Sequence, residues 1–225
     1  HCGITKRLSL TILPTGIAPG WTDGKKEYLV PENTITEAYN DIYAKFTALL
    51  GIHFHEIAHI IYCDFAEEQK AIDKIKAGEF YGELPVPKTQ AEVDALTEMK
   101  DALQNSAYRP LFQQIFNDVT NTIDDPHDEG KIIDEFGGIV EKGIATSREA
   151  LFRSFDYAEN ILANDKATKL QKLYALMLEF ARFEDVFARD LEQCVCDNDI
   201  MKMVIDMAKP LSQARWTDDV AYRCT

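Results

Sequence analysis

Ile52-His53-Phe54-His55-Glu56-Ile57-Ala58-His59-Ile60-Ile61 is the stretch on which the reading of the chain turns. It carries the pattern H-E-x-x-H among uncharged neighbours, the composition of a helix buried beneath a metal site. At 3.6 residues per turn, His55 and His59 stand one turn apart on one face, so both imidazoles reach a single metal ion. Glu56 lies about 100° around the wheel from His55, placed to meet a metal-activated water without ligating the metal itself. His53 points away from that face. The spacing predicts a hydrolytic zinc centre with His55 and His59 as ligands and Glu56 as general base.

Outward from this stretch the chain predicts a predominantly α-helical α+β fold, with a small N-terminal sheet next to the H-E-x-x-H helix. Residues 7–13 alternate as a strand does, and Pro14 with the glycines at 16 and 20 ends it. Asp23-Gly24 is a turn signal, and Glu27 to Val30 reads as a second strand, a ribbon that closes the core or pairs with an extended substrate. Thr34 to Glu37 reads as a capping box opening an amphipathic helix through Ala38, Ile42, Phe46 and Leu50. Gly51 either ends it or permits a close passage. The motif helix is expected over 52–68, a loop over 77–90 and a helix over 91–104. A stronger helix opens at Pro110, with Phe112, Ile115, Phe116, Val119 and Ile123 as its inner stripe. Further helices are expected at about 139–164, 166–185 and 186–208, with Phe155, Phe183, Phe187 and Leu191 among their inner residues. The expected organisation is one unit, with 1–33 the small β part, 34–130 the metal-site helices and 131–225 supporting helices.

A chain of 225 residues, 46% hydrophobic and 28% charged, has an ordinary globular composition. A net charge of −14 leaves no basic stripe for phosphates, so nucleic acid is not the expected partner. No run of 18 apolar residues predicts a membrane span. The first residue is His1 rather than Met, which predicts a trimmed piece. Cys2, Cys63, Cys194, Cys196 and Cys224 make an odd set without framework spacing, which suits reduced thiols and a cytoplasmic location. Cys63 reads as a small buried apolar side chain. Cys194 and Cys196 resemble half of a zinc site without a second pair.

Catalytic zinc takes three protein ligands, so a third must come from downstream. Tyr62 and Phe65 stand where the metzincin extension needs Gly and His, which leaves a later carboxylate. The best source is Asp124-Asp125-Pro126-His127-Asp128-Glu129. Residue by residue the choice stays open, because Asp124 and Asp125 flank the inner stripe on opposite sides. Asp125 also fits the N-cap of a new helix with Pro126 first and Asp128 completing the box.

Thr22-Asp23-Gly24 with a short strand, the H-E-x-x-H helix, and Asn121-x-x-x-Asp125-x-x-x-Glu129 together resemble a known group. It is the metallopeptidase-type domains of bacteria and phages associated with von Willebrand A-like domains, including relatives of cobaltochelatase subunits. The likeness covers roughly residues 20–130. It implies a zincin-like helical domain with Asp125 as the third ligand and Glu129 as the carboxylate behind a ligand. Pro126 departs from the group's pattern and leaves Asp124 as the fallback ligand. It also implies a peptide or protein substrate and a von Willebrand A-like or ATPase partner.

The expected activity is zinc-dependent peptide hydrolysis, with an oxyanion-stabilising group to be found among side chains such as Tyr81, His127 and Tyr157. Its rivals are a non-catalytic scaffold whose metal staples helices, and a metal-free helical interaction domain. A fourth protein ligand, such as Cys63 or His127, would mark the scaffold.

Overall fold

In the computed structural model, which describes residues 8–153, 158–182 and 198–223, the N-terminal part is a three-stranded sheet rather than a two-stranded ribbon. Strands β1 (Ser9–Ile12), β2 (Gly20–Thr22) and β3 (Lys26–Leu29) lie in the order β1-β3-β2, with β1 parallel and β2 antiparallel to β3. The added strand is Gly20-Trp21-Thr22. It is too short for its alternation to show, and it is held by Trp21, which stacks on its cross-strand partner Tyr28 with ring centroids 5.1 Å apart. The Asp-Gly turn joins β2 to β3: Asp23 Oδ1 accepts the Lys25 and Lys26 amides at 2.9 and 2.7 Å, and Gly24 takes a φ of 79°.

Capping chemistry divides the next segment differently from the expected pattern. Asn33, not Thr34, caps a single turn, α1 (Thr34–Glu37), with Thr36 completing the box. Asp41 then caps a new helix by accepting the Ala44 amide at 2.8 Å. That helix, α2 (Ile42–Tyr62), runs unbroken through Gly51 and carries the whole motif. It stops at Tyr62 rather than 68. Cys63 is extended, Asp64 caps α3 (Phe65–Ala77), and the two helix axes are bent by 80°. The residues after Ala77 form the expected loop, leading to α4 (Gln90–Gln104) with a Thr89–Glu92 capping box.

The longest element is α5 (Arg109–Phe136), 28 residues with Pro126 inside it. The alternative in which Asp125 caps a fresh helix is therefore wrong. Pro126 forfeits one intrahelical hydrogen bond, yet packing on both sides of this buried segment outweighs the local preference to break. Helices α6 (Gly138–Arg153), α7 (Ala158–Ala163) and α8 (Lys169–Arg182) follow. Asn198 caps α9 (Asp199–Trp216), which extends beyond the expected end at 208, and α10 (Val220–Arg223) comes last. Phe155, Phe183, Phe187, Leu191, Cys194 and Cys196 lie outside the described residues. No single helix among the described residues is long and apolar enough to cross a membrane.

Two apolar cores form, and α5 belongs to both. Ile132 packs with Ala58 of α2 and with Val140 and Ile144 of α6. Ile123 packs with Leu176 and Phe180 of α8 and with Met201 and Val204 of α9. Between those anchors every residue from Asp124 to Glu129 is buried. Burying the five polar side chains among these six without partners would be prohibitive, so each must be paired or serve a site.

Candidate metal centre

α2 presents His55 and His59 to α5, and Asp125 faces them. His59 Nε2 lies 3.1 Å from His55 Nε2 and 3.1 Å from Asp125 Oδ1, and His55 Nε2 is 3.7 Å from the same oxygen. Tetrahedral N and O ligands of zinc stand roughly 3.3 Å apart, since each bond is about 2.0–2.1 Å. The triangle fits. Its donors are two imidazoles and one carboxylate, and among the described residues no fourth His, Cys, Asp or Glu atom joins it. Cys63 and His127 do not close it.

What lies behind the three donors orients them. His55 Nδ1 is 2.7 Å from Glu129 Oε1, and Glu129 is itself gripped by the Arg148 guanidinium. His59 Nδ1 is 3.0 Å from Asp128 Oδ2 and 3.2 Å from Cys63 Sγ. A carboxylate at Nδ1 fixes the proton there and leaves the Nε2 lone pair for a metal. Asp125 shares its other oxygen, Oδ2, with Arg182. The fold thus brings together His55, Glu56 and His59 with Asp125 and Glu129, the two carboxylates that the resemblance implies. Asp124 is not with them: its Oδ1 accepts from buried Arg223 Nε at 2.5 Å.

The place of Asp128 behind His59, rather than as the capping partner expected from sequence, is an addition, as are Arg148 and Arg182. A wheel drawn continuously through Pro126 finds Asp128, because residues 125, 128 and 129 share one helical face. The arginines carry no local signal, since only tertiary packing brings α6 and α8 to this point. His127 is buried, with Nδ1 2.8 Å from Asp128 Oδ1 and Nε2 3.3 Å from Asp218. Cys63 is likewise more than an apolar filler, because its thiol donates to Asp128 Oδ2 at 2.8 Å.

Charge follows this geometry. Burial raises the Glu56 carboxyl above the usual carboxylate range; His55 and His59 oppose the rise and Glu27 adds to it. Burial also disfavours ionised Asp128, yet hydrogen bonds from His127, His59 and Cys63 prevail and hold it well below its ordinary value. Glu129 is lowered in the same way, against burial, by His55 and Arg148. Burial works against charge on His59, but its bonds to Asp128 and Cys63 raise that imidazole well above normal.

His55 and Glu56 border one cavity of about 130 Å³, shared with Gly20, Ser147, Arg148 and Arg182. Gly20, on the edge strand β2, presses over Glu56. A Cβ there would stand 2.6 Å from Ile52 Cγ2 and 3.2 Å from Glu56 Oε1. Tyr81 pairs with Glu67 in the loop after α3, and neither Tyr81 nor His127 lines the cavity. Tyr157 lies outside the described residues. His53, as expected, points elsewhere, with Nδ1 2.6 Å from buried Glu27. A larger cavity of about 800 Å³ between α5, α8 and α9 has apolar walls, including Phe116, Tyr174 and Met177, and none of the histidines.

Comparison of the chain with family models, with curated proteins and with solved structures found no match.

Proposed function

We propose that this chain is a zinc-dependent metallopeptidase, a hydrolase of the zincin type read from the sequence. The observation that carries the proposal is one triangle of donors, His55, His59 and Asp125, of which His55 borders the cavity that Glu56 also lines. Charge balance supports it. Glu56, Asp125, Asp128 and Glu129 are four buried carboxylates, and the guanidiniums paired with them are those of Arg148 and Arg182. Carboxylates outnumber guanidiniums in this set, and a divalent cation held by His55, His59 and Asp125 would relieve that excess.

Bound zinc would supply Lewis acidity, polarising the scissile carbonyl and acidifying a coordinated water. His55 and His59 would hold it through Nε2, their Nδ1 protons committed to Glu129 and Asp128. Asp125 would give one oxygen while Arg182 restrains the other. Glu56 accepts the water's proton at its carboxylate and delivers it to the leaving amine. Its raised affinity for a proton brings it nearer the pH at which it must do both. The outer edge of β2, with Gly20 against Glu56, pairs with no strand among the described residues and would be the place for an extended peptide to add.

The free thiol of Cys63 fits the cytoplasm, where a partner of the von Willebrand A-like or ATPase kind would act. A scaffold use of the metal would leave Glu56 without a role. The test is Glu56→Gln in zinc-loaded protein against a mixed peptide pool. Cleavage should fall by about 10²–10⁴-fold with zinc content unchanged. Undiminished cleavage by the variant would exclude Glu56 as the base.

A further inference from the structure

The two arginines of the cavity do more than neutralise their partners. Arg182 pairs with Asp125 through Nη2, while its buried Nε has no hydrogen-bond partner among the described residues. That donor is costly to leave unmade, and the rest of the side chain, 14% exposed, lines the cavity and presents the charge that a ligand would meet. Arg148 engages Glu129 through Nε, its side chain is 30% exposed, and it borders the same cavity as Arg182, His55 and Glu56. Two guanidiniums lining one cavity are the planar forks that suit a planar, two-oxygen anion. The volume of about 130 Å³ suits a small group rather than a long internal stretch of chain. A phosphate dianion would meet more repulsion from Glu56 and Glu129 than a carboxylate does.

Resting on the peptidase reading, we propose that this cavity seats a free substrate carboxylate held by Arg148 and Arg182. The substrate class is then the carboxyl-terminal residue of a peptide, removed one at a time. Ile35 and Leu151 on the same walls leave apolar surface for a modest side chain.

The test pairs two peptides identical except for a free or an amidated carboxyl terminus, given to the zinc-loaded full chain. The free acid should be cleaved at least a hundredfold more efficiently, with single-residue release seen by mass spectrometry. Equal cleavage, or cleavage of internal bonds in the amidated peptide, overturns the proposal while leaving a peptidase. A binding measurement stands apart from activity. By calorimetry, an N-acetylated amino acid should bind at least tenfold more tightly than its amide. Arg148→Lys keeps a cation beside Glu129 but loses the fork, and it should erase most of that preference at unchanged zinc content. Equal affinities for acid and amide sink the carboxylate seat; a clear acid preference with no cleavage of either peptide leaves the seat and removes the peptidase.

Discussion

Glu68 shows how far the buried charge network reaches past the histidines. Cys63, Glu68 and Asp124 offer atoms within 4.8 Å of one another. Burial, reinforced by Asp124 and Asp128 and opposed by His59 and Arg223, raises Glu68 to about 7 from an ordinary 4.5. In that interval the folded protein holds a proton that the unfolded chain has released. Stability therefore falls as pH rises from 4.5 towards 7, and the penalty is complete above 7. Glu68→Gln removes it. In chelator-treated protein the variant should gain on the order of 1 kcal/mol over the parent at high pH, after allowing for solvent screening. Near the ordinary glutamate pKa it should gain almost nothing. Urea titrations at both ends of the interval check this, and a variant that loses stability at high pH contradicts it.

Two glycines on neighbouring elements make opposite predictions. At Gly51 the backbone of α2 meets that of α6, and a Cβ would lie 2.1 Å from the Gly143 carbonyl oxygen. Helix propensity favours Gly51→Ala by about 1 kcal/mol, but a clash with backbone forces the helices apart and costs about 1–3 kcal/mol or more. Packing wins. Gly51→Ala should be destabilising and should weaken zinc retention, since the motif helix shifts with it. Gly130, inside α5, is different: a Cβ at that position would meet nothing within 4 Å. Gly130→Ala should therefore stabilise by about 0.5–1 kcal/mol. Chemical denaturation of both variants decides the matter, and like signs would show that packing at the crossing is misjudged. These elements also mark what the sequence could disclose. H-E-x-x-H was legible because helical period alone puts His55 and His59 together. Asp125 and Glu129 were legible only through a resemblance, because Pro126 obscured the continuous helix that aligns them. Strand β2 is too short for its alternation to show beside the visible Asp-Gly turn, and the partner of Gly51 and the two cavity arginines depend on contacts distant in sequence.

Across the whole molecule, α5 is the shared member. Ile123 anchors it in one core and Ile132 in the other, and the acidic segment between them is held where α2 can face it. Such an arrangement stores like charge in the interior, which a divalent ion would relieve, so metal affinity and fold stability are linked. The most direct test is anomalous diffraction at the zinc edge from crystals of the zinc-loaded chain. A single peak about 2 Å from His55 Nε2, His59 Nε2 and an Asp125 oxygen is the predicted result. A peak instead at His59 Nδ1, Cys63 and Asp128, or no bound zinc at all, would contradict the metal centre from which the proposed chemistry follows.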